Sequence, residues 1–581
     1  MSYLEKLKST GNRKELAKLL GFKPKALTAI IYQTPISRRY TEFEISKKSG
    51  GVRIIKAPNE KLKKLQRHLA HVLYACLTEI EESQNSRSVS FGFRKHGTIS
   101  ANAKNHKRRR YVLNLDLSDF FPSFNFGRVR GYFLKDKNFE LQEEVATTIA
   151  QIACDGQALP QGSPCSPVIS ELIGQILDVR LLRLARKYGV TYSRYADDIT
   201  FSTNQREFPA ALATQNDENQ SIWVLGDELV SKISAAGFMV NSEKTRMQCR
   251  GSRQSVTGLV VNEKVNIRSD YYRRARAMCD SLFQSGQYFC SYINSDDPEE
   301  APLPEYTDNP NHLEGILGHI YSVTQTEERR EIQEQRNNPR AIRTLYRRFL
   351  FYKKCISPNK PLIITEGKTD PIYLREAIKR RTKFHPILGK LGKNDFEFAI
   401  QFFNYGGRAH EIMDLGGGAG DLRSIPLDYL RNFKDDNSKR KPIKHKPMSW
   451  PVILLLDNDD GLGQVASTIK KNFGVTINLK STDSFYHITK NLYLVKTPET
   501  DGESCIEDLF PKEWREKELK GKKFNPESKI NPEKEYGKEV FAKAIVQANA
   551  DKIDFIGFDL LLDRIAAVLA DYCSNAVNII K

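Results

Sequence analysis

What the chain lacks narrows it first. No apolar run approaches the roughly 20 residues needed to cross a bilayer, so neither a membrane-spanning helix nor a membrane partner is expected. The opening MSYLEKLKSTGNRKELAKLL is charged and amphipathic, without the apolar core of a secretory signal, and a cytoplasmic protein is expected. Nine cysteines are scattered singly with no CxxC pair, which argues against structural zinc and against a disulfide framework. Neither a long internal repeat nor strong low complexity is present. Acidic residues are scarce in the first 115 positions, where 25 Lys and Arg face only 8 Asp and Glu, an excess of 17 in a chain whose formal charge is +19. A basic segment of that size repels itself unless it meets a polyanion, and phosphate backbones are the usual one.

What is present reads as globular, with 40% hydrophobic and 10% aromatic residues. The 581 residues are too many for one core and suggest two to four domains. ELAKLLGFKPKALTAIIYQ has helical spacing broken at Gly21, a helical lead-in. EISKKSGGVRIIKAP reads as a basic hairpin, and EKLKKLQRHLAHVLYACL as a helix with Leu62, Leu65, Leu69 and Leu73 on one face. From Tyr111 short strands alternate with helices in an α+β order. INSDDPEEAPLPEYTDNPN holds four prolines and six acidic residues and is expected to be a loop. A basic helical stretch follows to residue 357. PLIITEGKTDPIYLREAIKR and PVILLLDNDDGLGQVASTIKKNFG then repeat a strand, tight turn and helix, the pattern of a parallel α/β sheet.

Two groups of acids stand out. In TYSRYADDITFS the adjacent Asp197 and Asp198 sit between strand-forming runs, and a solvated hairpin tip is one reading. The other takes in Asp116 at the end of YVLNLD: if the two strands are neighbours, three carboxylates converge, which suits a site for two divalent cations. Clustered unpaired negative charge is costly unless cations neutralise it.

Tyr195-Ala196-Asp197-Asp198 resembles the YxDD box of reverse transcriptases, Asp116 to Phe121 the strand carrying their third carboxylate, and LPQGSPCSP their template-gripping loop. Asn102-Ala103-Lys104-Asn105-His106 is similar to the NAxxH element, and Val256-Thr257-Gly258 to the VTG element, of bacterial retron reverse transcriptases. The likeness covers roughly residues 1 to 350. It implies a right-hand polymerase: fingers and palm over 1–290, then the acidic loop, thumb helices and connector over 291–358. It further implies that Asp116, Asp197 and Asp198 bind two Mg²⁺, that Arg53 pairs with phosphate oxygens and that Lys244 protonates the leaving pyrophosphate. Phe121 would face the sugar of the incoming deoxynucleoside triphosphate and exclude a 2′-hydroxyl. Gln161 and Gly162 would admit template and nucleotide closely. Asn102, His106, Val256, Thr257 and Gly258 would recognise a structured non-coding RNA that is both template and primer. The product would be branched, RNA-linked single-stranded DNA.

In the second group Glu366 ends one apolar strand, and Asp457 and Asp459 end another. The carboxyl ends of strands in an open α/β sheet form a ligand crevice, and an acid beside Asp-x-Asp suffices for Mg²⁺. These residues resemble the Toprim domain of topoisomerases, primases and overcoming-lysogeny-type nucleases, over residues 359–515, with one or two Mg²⁺. An ion-free α/β domain with acidic turns is the plainer alternative. Asp370, Glu503, Glu507 and Asp508 are candidate additional acids. Too few residues follow 515 for topoisomerase machinery, and no zinc spacing supports a primase, so a nuclease acting on DNA or RNA is expected, with 516–581 a helical extension. The resemblance implies a bacterial antiphage role by abortive infection, the RNA-linked DNA holding the effector quiet. An intron- or diversity-element-type reverse transcriptase with a processing Toprim part is an alternative, as is an inactive Toprim scaffold. A homo-oligomer is compatible with the sequence.

Overall fold

Three short helices, Tyr3–Lys8, Arg13–Leu19 and Pro24–Thr28, lead the chain. Ser2 and Asn12 cap the first two by accepting from backbone N–H groups of Glu5 and Glu15. Gly21, at φ +71°, turns the chain after the second, a left-handed conformation that suits a residue without a side chain. The computed structural model describes residues 1–46, 51–84, 88–216, 222–293, 303–393, 395–416, 418–434, 440–499, 503–527 and 530–579.

The expected basic hairpin pairs β1 (Tyr40–Ser46) with β2 (Val52–Pro58), in the register Ser46 opposite Val52 and Tyr40 opposite Pro58. Its tip lies outside the described residues. The helix Glu60–Gln84 follows and buries Leu62, Leu65, Leu69 and Leu73. The central strand β3 (Tyr111–Ser118) shows the period of two: Leu113, Leu115 and Leu117 are buried, and Asn114, Asp116 and Ser118 take the other face. β4 (Thr191–Tyr195), β5 (Asp198–Thr203), β6 (Met239–Val240) and β7 (Arg246–Cys249) complete an antiparallel sheet ordered β4-β5-β3-β6, with β7 also on β3. The long helix Ser166–Lys187 buries Val168, Ile169, Leu172, Leu177 and Leu181 in the core of this unit. A small hairpin, β8 (Ser255–Val256) and β9 (Leu259–Val260), turns through Thr257 and Gly258, both at positive φ.

Two compact units result: Met1–Arg268 with Val323–Glu328, and Ser269–Ser322 with Arg329–Lys581. Packing therefore divides at residue 268, not at the expected 290. The helix Ser269–Ser285 buries Met278, Cys279, Leu282 and Phe283 within the second unit. The expected acidic loop is also corrected in part, because Leu303–Thr307 pairs antiparallel with Tyr288–Ile293. Tyr288 there is fully buried and anchors the pair despite the local proline content. Residues 294–302 lie outside the described residues.

The second unit is built on β10 (Leu362–Thr365), β11 (Gln401–Phe402), β12 (Val452–Leu456), β13 (Tyr486–Thr489) and β14 (Leu492–Lys496), ordered β11-β10-β12-β14-β13. The first four in that order are parallel, and β13 runs antiparallel at the edge. Every residue of β10, β12 and β14 is buried, as a parallel sheet covered on both faces demands. Asp370–Arg380 and Asp460–Phe473 follow β10 and β12 as helices, the second ended by Gly474 at φ +72°. The stretch after residue 515 is not a separate extension. Phe541, Ile545, Phe555, Phe558 and Leu561 share one core with Ile363, Tyr373 and Tyr493, because their apolar faces have no other surface to cover. It also contains a short parallel strand pair, Lys523–Phe524 with Glu535–Tyr536.

Two candidate acidic centres

The first centre follows from strand register. Asp116 of β3 lies directly opposite Asp198 of β5, and β5 pairs with β4 so that Tyr195 faces Asp198 across a two-residue turn of Ala196 and Asp197. The Leu117 backbone N–H donates to the Asp197 carbonyl at 3.1 Å, tying the turn to β3. Ala196 sits at φ +56°, which costs an L-residue about 1 kcal/mol. The surroundings hold it there. Gly92 packs so closely that a Cβ on it would come within 2.3 Å of the Ala196 nitrogen. Beneath the turn Arg194 is fully buried, its guanidinium forked onto Asp178 at 2.8 and 2.7 Å, reaching Glu171 at 3.1 Å and donating to the Ala196 carbonyl at 3.1 Å. Glu171 also takes Arg94, and Tyr192 donates to Asp178.

The neighbouring charges perturb Asp197 and Asp198. Burial and the Asp116 charge raise the Asp197 carboxyl, with Lys244 and Arg53 opposing. Desolvation, then the charges of Asp197 and Asp116, push Asp198 up to about 7, although one edge of it stays open to solvent. Lys244, on the short turn Ser242–Lys244, holds Asp116 with its Nζ 3.0 and 3.1 Å from the two carboxylate oxygens. Three hard oxygen donors on adjacent strands fit a divalent cation such as Mg²⁺ by chemistry.

The remaining expected residues fall into two sets. Arg53 is exposed on β2 and acts electrostatically on Asp197. The loop holding Gln161 and Gly162 is fastened to that hairpin: the Lys56 N–H donates to the Gln161 carbonyl at 2.8 Å. Gly162, at φ +113°, lies so near that a Cβ on it would meet the Lys56 carbonyl at 2.8 Å. Phe121 is half-buried, 5.9 Å from Phe93 and 5.5 Å from Phe120 between ring centres, while Phe120 is buried with Phe124 and Phe238. Asn102 and His106 are a correction, because neither reaches solvent to touch RNA. His106 bridges the Ser202 and Ser193 hydroxyls at 2.7 and 2.6 Å, and Ser193 donates to Asn102. Burial, with Arg109 nearby, lowers His106 to about 3, so it is a neutral brace between β4 and β5. Val256 is buried too, but Thr257 and Gly258 reach the surface, and Thr257 donates to the Ile99 carbonyl at the start of the Asn102 helix. The NAxxH and VTG elements are thus neighbours.

The second centre forms where two parallel strands end side by side. The Glu366 N–H donates to the Leu455 carbonyl, and the Asp457 N–H lies 3.3 Å from a Glu366 carboxylate oxygen. Glu366, Asp457 and Asp459 each place one carboxylate oxygen within 4.8 Å of the others, the one group of described residues with that spacing. The three acids of the first centre are more widely set. Asp459 caps the helix Asp460–Phe473 by accepting from Gly461, and Asp457 accepts from Ile506. Burial, followed by the charges of Asp370 and Glu366, pushes Asp457 up to about 8. Burial, followed by Glu507, pushes Asp370 to about 7. Asp370 and Glu507 thus belong to the same field, whereas Glu503 is exposed and lies outside that spacing. Lys538 pairs with Glu507 at 3.1 Å, and Asp508 pairs with Arg515. The spacing and oxygen chemistry fit Mg²⁺.

Sequence reasoning missed Arg194, Asp178, Glu171 and Lys538. A signal existed for two of them: Glu171 and Asp178 lie seven residues apart, two helical turns, in the otherwise apolar ISELIGQILDVRLL.

A family model described as reverse transcriptase (RNA-dependent DNA polymerase) matches residues 45–267, which include Asp116, Asp197 and Asp198. The retron Mx65 reverse transcriptase of Myxococcus xanthus is 32% identical over 324 residues, 52% of this chain and 65% of the relative. The retron Mx162 reverse transcriptase of the same organism is 33% identical over 267 residues, 42% and 52% of the two chains. The chain thus spans between half and two thirds of these two relatives. Against the retron Ec86 reverse transcriptase of Escherichia coli identity is 32% over 275 residues, 47% of this chain and 78% of the relative. With that coverage, the chain belongs to the retron reverse transcriptase family.

Proposed function

We propose that the chain is an RNA-directed DNA polymerase that copies a structured RNA, both template and primer, into single-stranded DNA joined to that RNA. The observation that carries this reading is the pairing of Asp116 with Asp198 across β3 and β5, with Asp197 in the turn between. Two Mg²⁺ ions, held by these three residues, would activate the primer hydroxyl and neutralise the triphosphate. The chain's own groups do the rest. Arg53 offers a planar fork to phosphate oxygens. Lys244, paired with Asp116, would give a proton to the departing pyrophosphate. Phe121, half-buried beside Phe93 and Phe120, would stand against the sugar, and the Gly162 backbone would permit close approach of template and nucleotide. The excess of 17 positive charges in the first 115 residues supports the nucleic-acid partner.

The second part of the proposal is a metal-dependent, Toprim-like nuclease centre at Glu366, Asp457 and Asp459 that serves in bacterial antiphage defence, on a DNA or RNA target. Its support is the 4.8 Å spacing on adjacent parallel strands. Burial and the charges of Asp370 and Glu366 raise Asp457 to about 8, holding a proton that a bound divalent cation would displace.

Expression of the chain with its neighbouring DNA, followed by extraction of nucleic acid, tests the polymerase. Branched RNA-linked DNA is expected, and it should vanish when Asp197→Asn and Asp198→Asn are combined. Its persistence in that variant would remove the assignment.

A further inference from the structure

Residues 90–97, SFGFRKHG, form a loop beside the first acidic centre and contribute no carboxylate to it. The start of the loop runs parallel to Arg194. The Arg194 N–H donates to the Val89 carbonyl at 3.0 Å, and the Phe91 N–H donates to the Arg194 carbonyl at 2.9 Å. The Ser90 hydroxyl and the Arg94 guanidinium both bind Glu171, at 2.9 and 2.7 Å, the same buried acid that takes Arg194. Gly97 closes the loop so near the Phe91 carbonyl that no Cβ fits there, and Gly92 lies equally close to the Ala196 backbone. The loop and the turn carrying Asp197 are therefore fastened to one another.

From this loop Phe93 projects at φ +55°, a left-handed conformation rare for a bulky side chain. Such strain persists where the surroundings over-determine it, and functional sites are where it clusters. What the strained residue delivers is a ring, half-buried, whose centre lies 5.9 Å from that of Phe121 with the two planes tilted by 42°. The other ring beside Phe121 is Phe120 at 5.5 Å, itself stacked on Phe238 and set edge-on to Phe124 in the core. Phe121 thus has one aromatic neighbour rooted in the core and one supplied by the loop. A ring that discriminates by steric clash works only while packing locks its rotamer.

Resting on the reading that Phe121 faces the sugar of the incoming nucleotide, we propose that Phe93 is the positioning residue that holds this ring in place. Selection of deoxyribonucleotides then depends on the loop as well as on Phe121. Without the Phe93 ring, Phe121 yields to a 2′-hydroxyl while the three carboxylates keep their places.

The test measures kcat/KM for dNTPs and for rNTPs on a primed RNA template with the full chain. It compares Phe93→Ala, Phe93→Tyr, Phe121→Ala and the double variant that combines both alanines. A ratio taken within one preparation cancels any difference in folded fraction. Phe93→Ala should raise relative ribonucleotide use roughly two- to tenfold, the worth of one aromatic pair. Phe93→Tyr, which keeps the ring, should retain the unsubstituted ratio. The double variant should discriminate no worse than Phe121→Ala alone, because Phe93 acts through that ring and the two effects do not add. A packing role alone would depress both nucleotides together and leave the ratio of Phe93→Ala unmoved, which would overturn the proposal. Additive effects in the double variant, or loss of all synthesis in both single Phe93 variants, would overturn it too. An unchanged ratio in Phe121→Ala would instead remove the sugar-facing reading itself, and this proposal with it.

Discussion

Single carboxyls carry a pH signature. Asp457 would ordinarily titrate near 3.8, but in the folded chain burial and its acidic neighbours raise it to about 8. Below pH 4 it is protonated in folded and unfolded chains alike. Between about 4 and 8 the unfolded chain releases the proton that the folded chain keeps, so without metal this group's contribution to stability is lost as pH rises through that window. Denaturation of metal-free protein should show that decline, and Mg²⁺ should restore more stability at pH 8 than at pH 5. A flat profile, insensitive to Asp457→Asn, would contradict the burial of this acid. Phe121 makes a second residue-scale prediction. Removing its ring in Phe121→Ala should raise ribonucleotide incorporation roughly tenfold or more, the scale on which one bulky contact discriminates. Competition between dNTPs and rNTPs on an RNA template measures it, and an unchanged ratio would dismiss the sugar-facing role.

At the scale of elements, the turn bearing Asp197 depends on the salt-bridged layer beneath it. Asp178→Ala would leave Arg194 buried with Glu171 as its one remaining carboxylate, and breaking such a pair costs about 3–5 kcal/mol. Urea denaturation should register that loss, and a change below about 1 kcal/mol would mean the network is dispensable. This layer also marks where sequence reading stopped. The Leu113, Leu115 and Leu117 alternation and the YADD turn made β3 and its hairpin legible, because side-chain period and turn chemistry are local. Partnership of Arg194 with a helix 16 and 23 residues upstream is not local, and no periodicity encodes it. The same limit explains His106. Its pattern names a family element, but only the fold reveals that both ring nitrogens are taken by serines of β4 and β5. In the second unit the strands β10 and β12 were readable as continuous apolar runs, whereas Leu303–Thr307 was hidden by prolines whose pairing depends on a buried Tyr288.

Across the whole molecule the acids fall into separate units, Asp116, Asp197 and Asp198 in one and Glu366, Asp457 and Asp459 in the other. Each unit has its own hydrophobic core. Effects of substitutions that share no partners should add. Glu366→Ala is therefore expected to abolish nucleic-acid cleavage while the yield of RNA-linked DNA stays at the unsubstituted level. Cleavage retained in that variant would remove the nuclease reading, and a fall in DNA yield would show that the two centres depend on one another.

The covering of β10, β12 and β14 by residues beyond 515 has a consequence for how the protein is made. A ribosome releases Asp116, Asp197 and Asp198 early, and their unit is complete once Val323–Glu328 has followed residues 1–268, while the rest is still being synthesised. Glu366, Asp457 and Asp459 emerge later, yet the core beneath them is incomplete until Phe541 to Leu561 arrive, along with Lys538 beside Glu507. At roughly 5–20 residues per second the interval between the two centres lasts on the order of 10 to 50 s. A chain stalled or clipped inside that interval retains its first centre and lacks a folded second one.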